Sequence, residues 1–276
     1  MLSLLAAVVL NAQENESAPV TLEKISESVY QLNGGRGSNG GFIVGDNGVL
    51  VVDAKMDEAS VNQCLELIGQ VTDKPVRYLV NTHSDGDHIM GNRYFPATTT
   101  FVAHENCRGD FFRENFGRAS DWDQPQYAPY VPSVTFREQM NLWLGEELVE
   151  LHYYGRGHTT GDIVVYVPEE KVAFIGDLYF FGRPQLIHSN KNGNSFEYVR
   201  TLNRMLENLH AVTFLSGHSE PAGREDIERH LLQMVEKQEK VLRLKQQGGN
   251  LEEVLAEFQE DESRLITSIY QELSEE

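Results

Sequence analysis

The sequence predicts an α/β fold in which two strand-rich halves, each with its own helices, stack as two sheets face to face with helices outside. Three observations predict it. Short β-type runs alternate with windows of helical spacing along the whole chain, separated by Gly, Pro and Asn turns. No repeat period points to a solenoid. The 276 residues, 40% hydrophobic and 24% charged, have the composition of an ordinary globular protein. A single domain over 25–276 is expected, with extra C-terminal helices from about 224.

The elements follow in order. Residues 13–24 are polar and are expected to form a loose lead-in. Residues 29–32 read as a strand. The glycine-rich stretch 34–41 contains Gly35-x-Gly37-x-x-Gly40, formally a dinucleotide fingerprint. That fingerprint needs a helix after it, and Phe42-Ile43-Val44 is β-type, so a hairpin whose backbone approaches a ligand is expected instead. Asn47-Gly48 signals a type I′ turn, and 49–52 form a strand ending at Asp53. Residues 57–71 have helical spacing, with Val61, Leu65 and Ile68 on one face. Residues 76–80 read as a strand buried on both faces. A short helix over 88–95, a strand over 98–103 and a helix over 104–116 follow. The stretch 117–133 holds Trp122, Tyr127, Tyr130 and three prolines. It reads as a long irregular loop, which either roofs a site or packs on the surface. Residues 134–151 give short strands with a turn at Gly145, and 163–167 with 172–175 a hairpin around Pro168-Glu169-Glu170. A helix over 195–209, a strand over 212–215 and a long helix over 224–247 come next. Gly248-Gly249 ends that helix. Two shorter helices follow, which either cover the core or pair with another chain.

Directly after the strand at 76–80, His83, Asp85, Asp87 and His88 fall within six positions. A strand end followed by a tight Gly-containing loop points such groups at one spot. Imidazole with carboxylate is the ligand set for zinc, iron or manganese. A solvated polar loop is the plainer reading, but an apolar strand feeding straight into the cluster argues against it. Of the nine histidines, His104, His152, His210 and His230 sit in or beside regular elements, where packing is the usual role. His188 lies in a loop with Arg183 and Lys191 that follows the 172–175 strand, and these three are expected to face substrate.

His83-x-Asp85-x-Asp87-His88 resembles the metal-binding motif of the metallo-β-lactamase superfamily, His-x-His-x-Asp-His, with Asp85 in place of the second histidine. The likeness continues in order through Asp53, Gly157-His158-Thr159-Thr160-Gly161-Asp162, Gly176-Asp177 and Ser216-Gly217-His218, covering roughly residues 25–235. It implies a four-layer αββα sandwich and a hydrolase. Two zinc ions are implied, one held by His83, Asp85 and His158, the other by Asp87, His88 and His218. Asp177 would bridge them, and Asp53 would support them from behind. A metal-bound hydroxide would then attack a small carbonyl ester, lactone, thioester or lactam, with Asp87 orienting the water or accepting its proton. Asp85 adds charge and a harder donor, which favours iron or manganese. Flavodiiron proteins of the superfamily share that carboxylate, so a di-iron oxidoreductase and a mononuclear hydrolase are the alternatives. Asp177 stands where the best-known zinc β-lactamases often place a cysteine, so only weak β-lactam turnover is expected.

The formal net charge of −19 argues against nucleic-acid or anionic-membrane partners and leaves a small-molecule substrate. Cys64 and Cys107 are the only cysteines, too few for a disulfide scaffold, and their pairing stays open. The apolar run 2–10 with the polar residues after it resembles the core and end of a secretory signal peptide, without a positive n-region. It predicts a periplasmic or secreted protein; an N-terminal strand in a cytoplasmic protein is the alternative.

Overall fold

The computed structural model describes residues 18–113 and 119–274. The signal-like run 2–10, much of the lead-in and the end of the expected 104–116 helix lie outside them. Among the described residues, thirteen strands form two sheets. The first runs in sequence order: β1 (Thr21–Lys24), β2 (Val29–Asn33), β3 (Gly40–Gly45), β4 (Gly48–Val52), β5 (Val76–Val80), β6 (Thr100–His104) and β7 (Val134–Phe136). The second contains β8 (Gln139–Leu144), β9 (Glu147–His152), β10 (Val164–Val167), β11 (Val172–Gly176), β12 (Thr213–Ser216) and β13 (Ala222–Gly223), in the order β13-β12-β11-β10-β9-β8. The helices are α1 (Glu58–Val71), α2 (Gly86–Ile89), α3 (Glu105–Phe111), α4 (Ser195–Asn208), α5 (Arg224–Gln246), α6 (Leu251–Leu255) and α7 (Ser263–Glu272).

Strand alternation builds the layers. In β4, Leu50 and Val52 point between the sheets, where they meet Val165, Phe174 and Leu215. Val49 and Val51 point the other way, onto Val61, Cys64 and Ile68 of α1. In β11, Val172 and Phe174 enter the same inter-sheet core, while Ala173 and Ile175 face Leu202 of α4, Ile227 of α5 and Ile266 of α7. The result is the expected four-layer αββα sandwich, with the added C-terminal helices lying over the second sheet. Both cysteines are buried and unpaired. Among the described residues, no helix is long and apolar enough to cross a membrane.

Three sequence expectations need correction. β1 is a strand, not a loose lead-in. It pairs antiparallel with β2 through its backbone while its own side chains stay largely exposed, so no apolar pattern marks it. β5 is not buried on both faces. Only Leu79 and Val80 are fully buried, and Arg77 is exposed, its stem lying over Gly48 where a side chain would clash with it. The turn joining β3 to β4 is not type I′, since Asp46, Asn47 and Gly48 have no positive φ. The Asp46 N–H donates to the Leu144 carbonyl (2.7 Å) and its carboxylate accepts from the Glu146 N–H (2.9 Å), so the second sheet shapes that turn. The glycine-rich stretch forms the hairpin connection between β2 and β3, and its backbone is tied to the motif segments. The Ser38 N–H donates to Asp87 O (3.2 Å) and the Asn39 N–H to Gly217 O (2.6 Å). Buried Lys55, held down to about 8 by desolvation, ties the stretch in place through the carbonyls of Leu32, Gly34 and Ser38.

Candidate metal centre

The chemistry-bearing side chains collect at one rim of the two sheets. His83 and Asp85 follow β5. Asp85 caps α2 without a side-chain bond to it, which leaves its carboxylate free for other partners. The first turn of α2 carries Asp87 and His88. Asp177 and His218 come just after β11 and β12, parallel neighbours that end side by side at Gly176 and Ser216. Gly217 is required there, because a Cβ would sit 2.5 Å from Asp177 Oδ1. His158 arrives on the loop from β9 to β10. Buried Asp162 holds that loop by accepting the Thr159 N–H (2.9 Å) and hydroxyl (2.6 Å).

Two groups of donor atoms result. Those of His83, Asp85, His158 and Asp177 lie within 4.8 Å of one another, and those of Asp87, His88 and His218 do likewise. Asp177 spans them. Its Oδ1 lies 3.2 Å from His88 Nε2, and its Oδ2 lies 3.4 Å from His218 Nε2 and 3.7 Å from those of His83 and His158.

The imidazoles are set as metal ligands are. His88 Nδ1 donates to Asp53 Oδ2 (2.8 Å) and His158 Nδ1 to the Leu186 carbonyl (2.7 Å). Thr82 spends its hydroxyl proton on Asp53 Oδ2 (2.7 Å), so it accepts from His83 Nδ1 (3.1 Å). All three rings therefore aim Nε2 inward, with the outer nitrogen fixing ring and tautomer. His83 Nε2, His88 Nε2 and Asp177 Oδ1 are buried without a hydrogen-bond partner. Buried polar atoms left unpaired this way call for a ligand, and a cation suits two imidazole nitrogens and a carboxylate oxygen.

Taken as side chains alone, the cluster polarises itself. Burial would raise Asp85 and Asp177, but the imidazoles around them outweigh it and hold both well below the carboxylate range. Burial is likewise outweighed at Asp87, which His218 and His88 hold at about 2. Burial pulls His158 down, yet Asp85 and Asp177 push it up to about 9.

Asp53 sits behind β5 with φ 60°, a left-handed conformation that a non-glycine residue adopts at a cost. It accepts from the Thr82 N–H (2.8 Å) as well as from Thr82 Oγ1 and His88. Asp53→Ala is expected to weaken metal binding by about 10- to 100-fold, read by chelator competition; unchanged affinity would remove Asp53 from the site's support.

The substrate-loop residues part company. Arg183 lines a cleft of about 280 Å³ that opens onto Asp85, Asp87, Asp177 and His218. Lys191 and His188 turn instead to the metal loop. Lys191 Nζ donates to Ser84 O (2.8 Å) and Asp85 Oδ1 (2.6 Å), and His188 Nε2 lies 2.9 Å from Asp85 Oδ2. The 119–133 stretch does not roof the cleft. Trp122 is buried against Phe111 and under Arg93, because its aromatics make their own small core with Ile89 and Val131. The cleft's other wall is Asp261, Arg264 and Leu265. Sequence reading missed these, since the spacing of α7 signals only a packed helix. Thr82, next to His83, and Asp162, the last residue of the His158 motif, were also missed as supports.

A family model described as Metallo-beta-lactamase superfamily matches residues 33–218. A "Metallo-beta-lactamase type 2" from Elizabethkingia meningoseptica is 25% identical over 214 residues, covering 69% of this chain and 81% of that protein. A metallo-beta-lactamase from Pontibacter korlensis superposes with a TM-score of 0.64 at 19% identity, over 78% of this chain and 98% of that one. A stereoselective inverting sec-alkylsulfatase from Pseudomonas sp. does so with a TM-score of 0.72 at 16% identity, over 92% of this chain and 50% of that one. At these identities the structural likenesses speak for the fold. The matched span runs from the end of β2 to His218 and holds every donor of both clusters, and the chain belongs to the metallo-β-lactamase superfamily as a hydrolase.

Proposed function

We propose that this hydrolase is a dizinc enzyme acting on a small carbonyl ester, lactone, thioester or lactam. The carrying observation is the convergence of the three unpaired buried atoms, His83 Nε2, His88 Nε2 and Asp177 Oδ1, on two adjoining donor clusters. His83, Asp85 and His158 would hold one ion, Asp87, His88 and His218 the other, and Asp177 both. When bound, such ions polarise a carbonyl oxygen and bring the pKa of water near 7.

The chain's own groups do the rest. Asp87, a carboxylate at neutral pH and partly open to the cleft, accepts the proton lost when water adds to the carbonyl carbon. Phe180, Leu186 and Leu265 give the cleft apolar walls that limit water. Arg183, stacked 4.0 Å over Phe180, and Arg264 from α7 bring two guanidinium groups to the lining of the cleft. They favour a substrate with an anionic substituent. Weak β-lactam turnover is proposed on the ground of Asp177. The carboxylate of Asp85 supports a second reading, iron or manganese in the first cluster, with di-iron redox chemistry or a single-ion hydrolase as its consequence. The acidic surface supports a small-molecule partner over nucleic acid or membrane, and export rests on the run 2–10.

Elemental analysis of purified protein is expected to give two zinc ions per chain. A panel of esters, lactones, thioesters and a chromogenic β-lactam should show turnover that chelation abolishes and zinc restores. Failure to take up metal on reconstitution would overturn the reading, and iron with a redox spectrum would select the second one.

A further inference from the structure

We propose that His188 is a metal ligand of the first cluster, supplying from another loop the imidazole that the motif lacks at position 85. This rests on the metal-dependent reading above. The Nε2 atoms of His188, His158 and His83 lie 2.9, 3.0 and 3.6 Å from one atom, Asp85 Oδ2. Three imidazole nitrogens thus face one carboxylate oxygen, His188 from just outside the donor group of His83, Asp85, His158 and Asp177. The His158 and His188 rings stand 4.7 Å apart at 63°, much as the His83 and His158 rings stand 4.9 Å apart at 81°. His188 therefore stands against His158 at nearly the ring distance that His83 does.

The placement is built into the backbone. The His188 N–H donates to the His158 carbonyl (2.9 Å), the Asn194 N–H to Gly157 O (3.0 Å) and the Thr160 N–H to Lys191 O (3.1 Å). Asn192 turns the chain with φ 54°, and Gly193 lies against the His158 carbonyl too closely for any Cβ. The same segment that presents His158 therefore fixes His188.

Charge supports the exchange. Asp85 brings a negative charge where the motif has a neutral ring. Lys191 binds its Oδ1 at 2.6 Å and is anchored by Ser84 O at 2.8 Å. The Asp85–Lys191 pair is neutral in sum, and with His188 it restores both the charge and the imidazole count of a histidine at position 85. A carboxylate with one oxygen committed to an ammonium is a poorer metal donor than a free one, so the imidazole takes the larger share.

The test is zinc affinity by chelator competition, with the electronic spectrum of the cobalt-loaded protein, for wild type, His188→Ala and His188→Asn. Asparagine can still donate a hydrogen bond to Asp85 but is a poor metal ligand, so it separates ligation from mere positioning. Both variants are expected to bind one of two ions at least about 100-fold more weakly and to change the cobalt bands. Far-ultraviolet circular dichroism of the metal-free proteins checks the fold, and His188 lies on a loop with its side chain 22% exposed. Wild-type affinity in either folded variant would overturn the assignment of His188 alone. A wild type that takes up no metal would overturn the dizinc reading and this one with it.

Discussion

Asp177→Asn is expected to remove at least one of two metal ions per chain and to lower kcat/KM by about 100-fold or more. The carboxylate is 3% exposed and its two oxygens serve different groups, Oδ1 facing His88 and Oδ2 facing His83, His158 and His218. An amide of the same shape keeps the packing. It removes the charge held between the clusters and puts an N–H₂ group where an acceptor stood. Among the described residues, the only imidazoles that Asp85 pairs with are those of the first side, His83, His158 and His188, and the only ones that Asp87 pairs with are His88 and His218. Elemental analysis and steady-state kinetics check this together. Two ions at full occupancy in the variant would show that the clusters load independently of Asp177.

Metal affinity is expected to rise steeply with pH. Burial disfavours a charged His158, but Asp85 and Asp177 overcome that and raise its pKa to about 9. At neutral pH the ring is therefore protonated before metal arrives, and a ligand must be neutral. Each ion that displaces one proton gains about tenfold in affinity per pH unit below the ring's pKa, or roughly 100-fold between pH 6 and 8. Titration calorimetry in buffers of different ionisation enthalpy should detect the released proton. An affinity independent of pH would contradict the protonated cluster. The same shift has a consequence for the metal-free fold. Its pKa is raised above the usual 6.5, so the stability it contributes is fully present below 6.5 and is lost as pH rises through about 9.

Most regular elements were legible because their signals are local. Asp57 caps α1 by accepting the Ser60 N–H (2.9 Å), and the apolar spacing behind it matches the face that α1 buries. Asn250 opens α6 with a capping box directly after the glycines that end α5. The four motif histidines were legible for a related reason. His83 and His218 come directly after β5 and β12, while His88 sits on α2 and His158 on the loop from β9 to β10, each within a short ligand-rich motif. β1 was not legible, because a polar edge strand is made by its partner's backbone and not by its own side chains.

The sequence by itself determined the ligand inventory, the order of the elements and the family resemblance, all properties of residues close together in the chain. Only the tertiary structure decided which groups surround Asp85. Lys191 reaches it across 106 residues and His158 across 73. Only the tertiary structure set Arg264 of α7 opposite Arg183 as a wall of the cleft. The physical reason is that periodicity and capping chemistry fix an element's existence and inward face. Stacking two sheets fixes which loops share a rim, and no local preference carries that information.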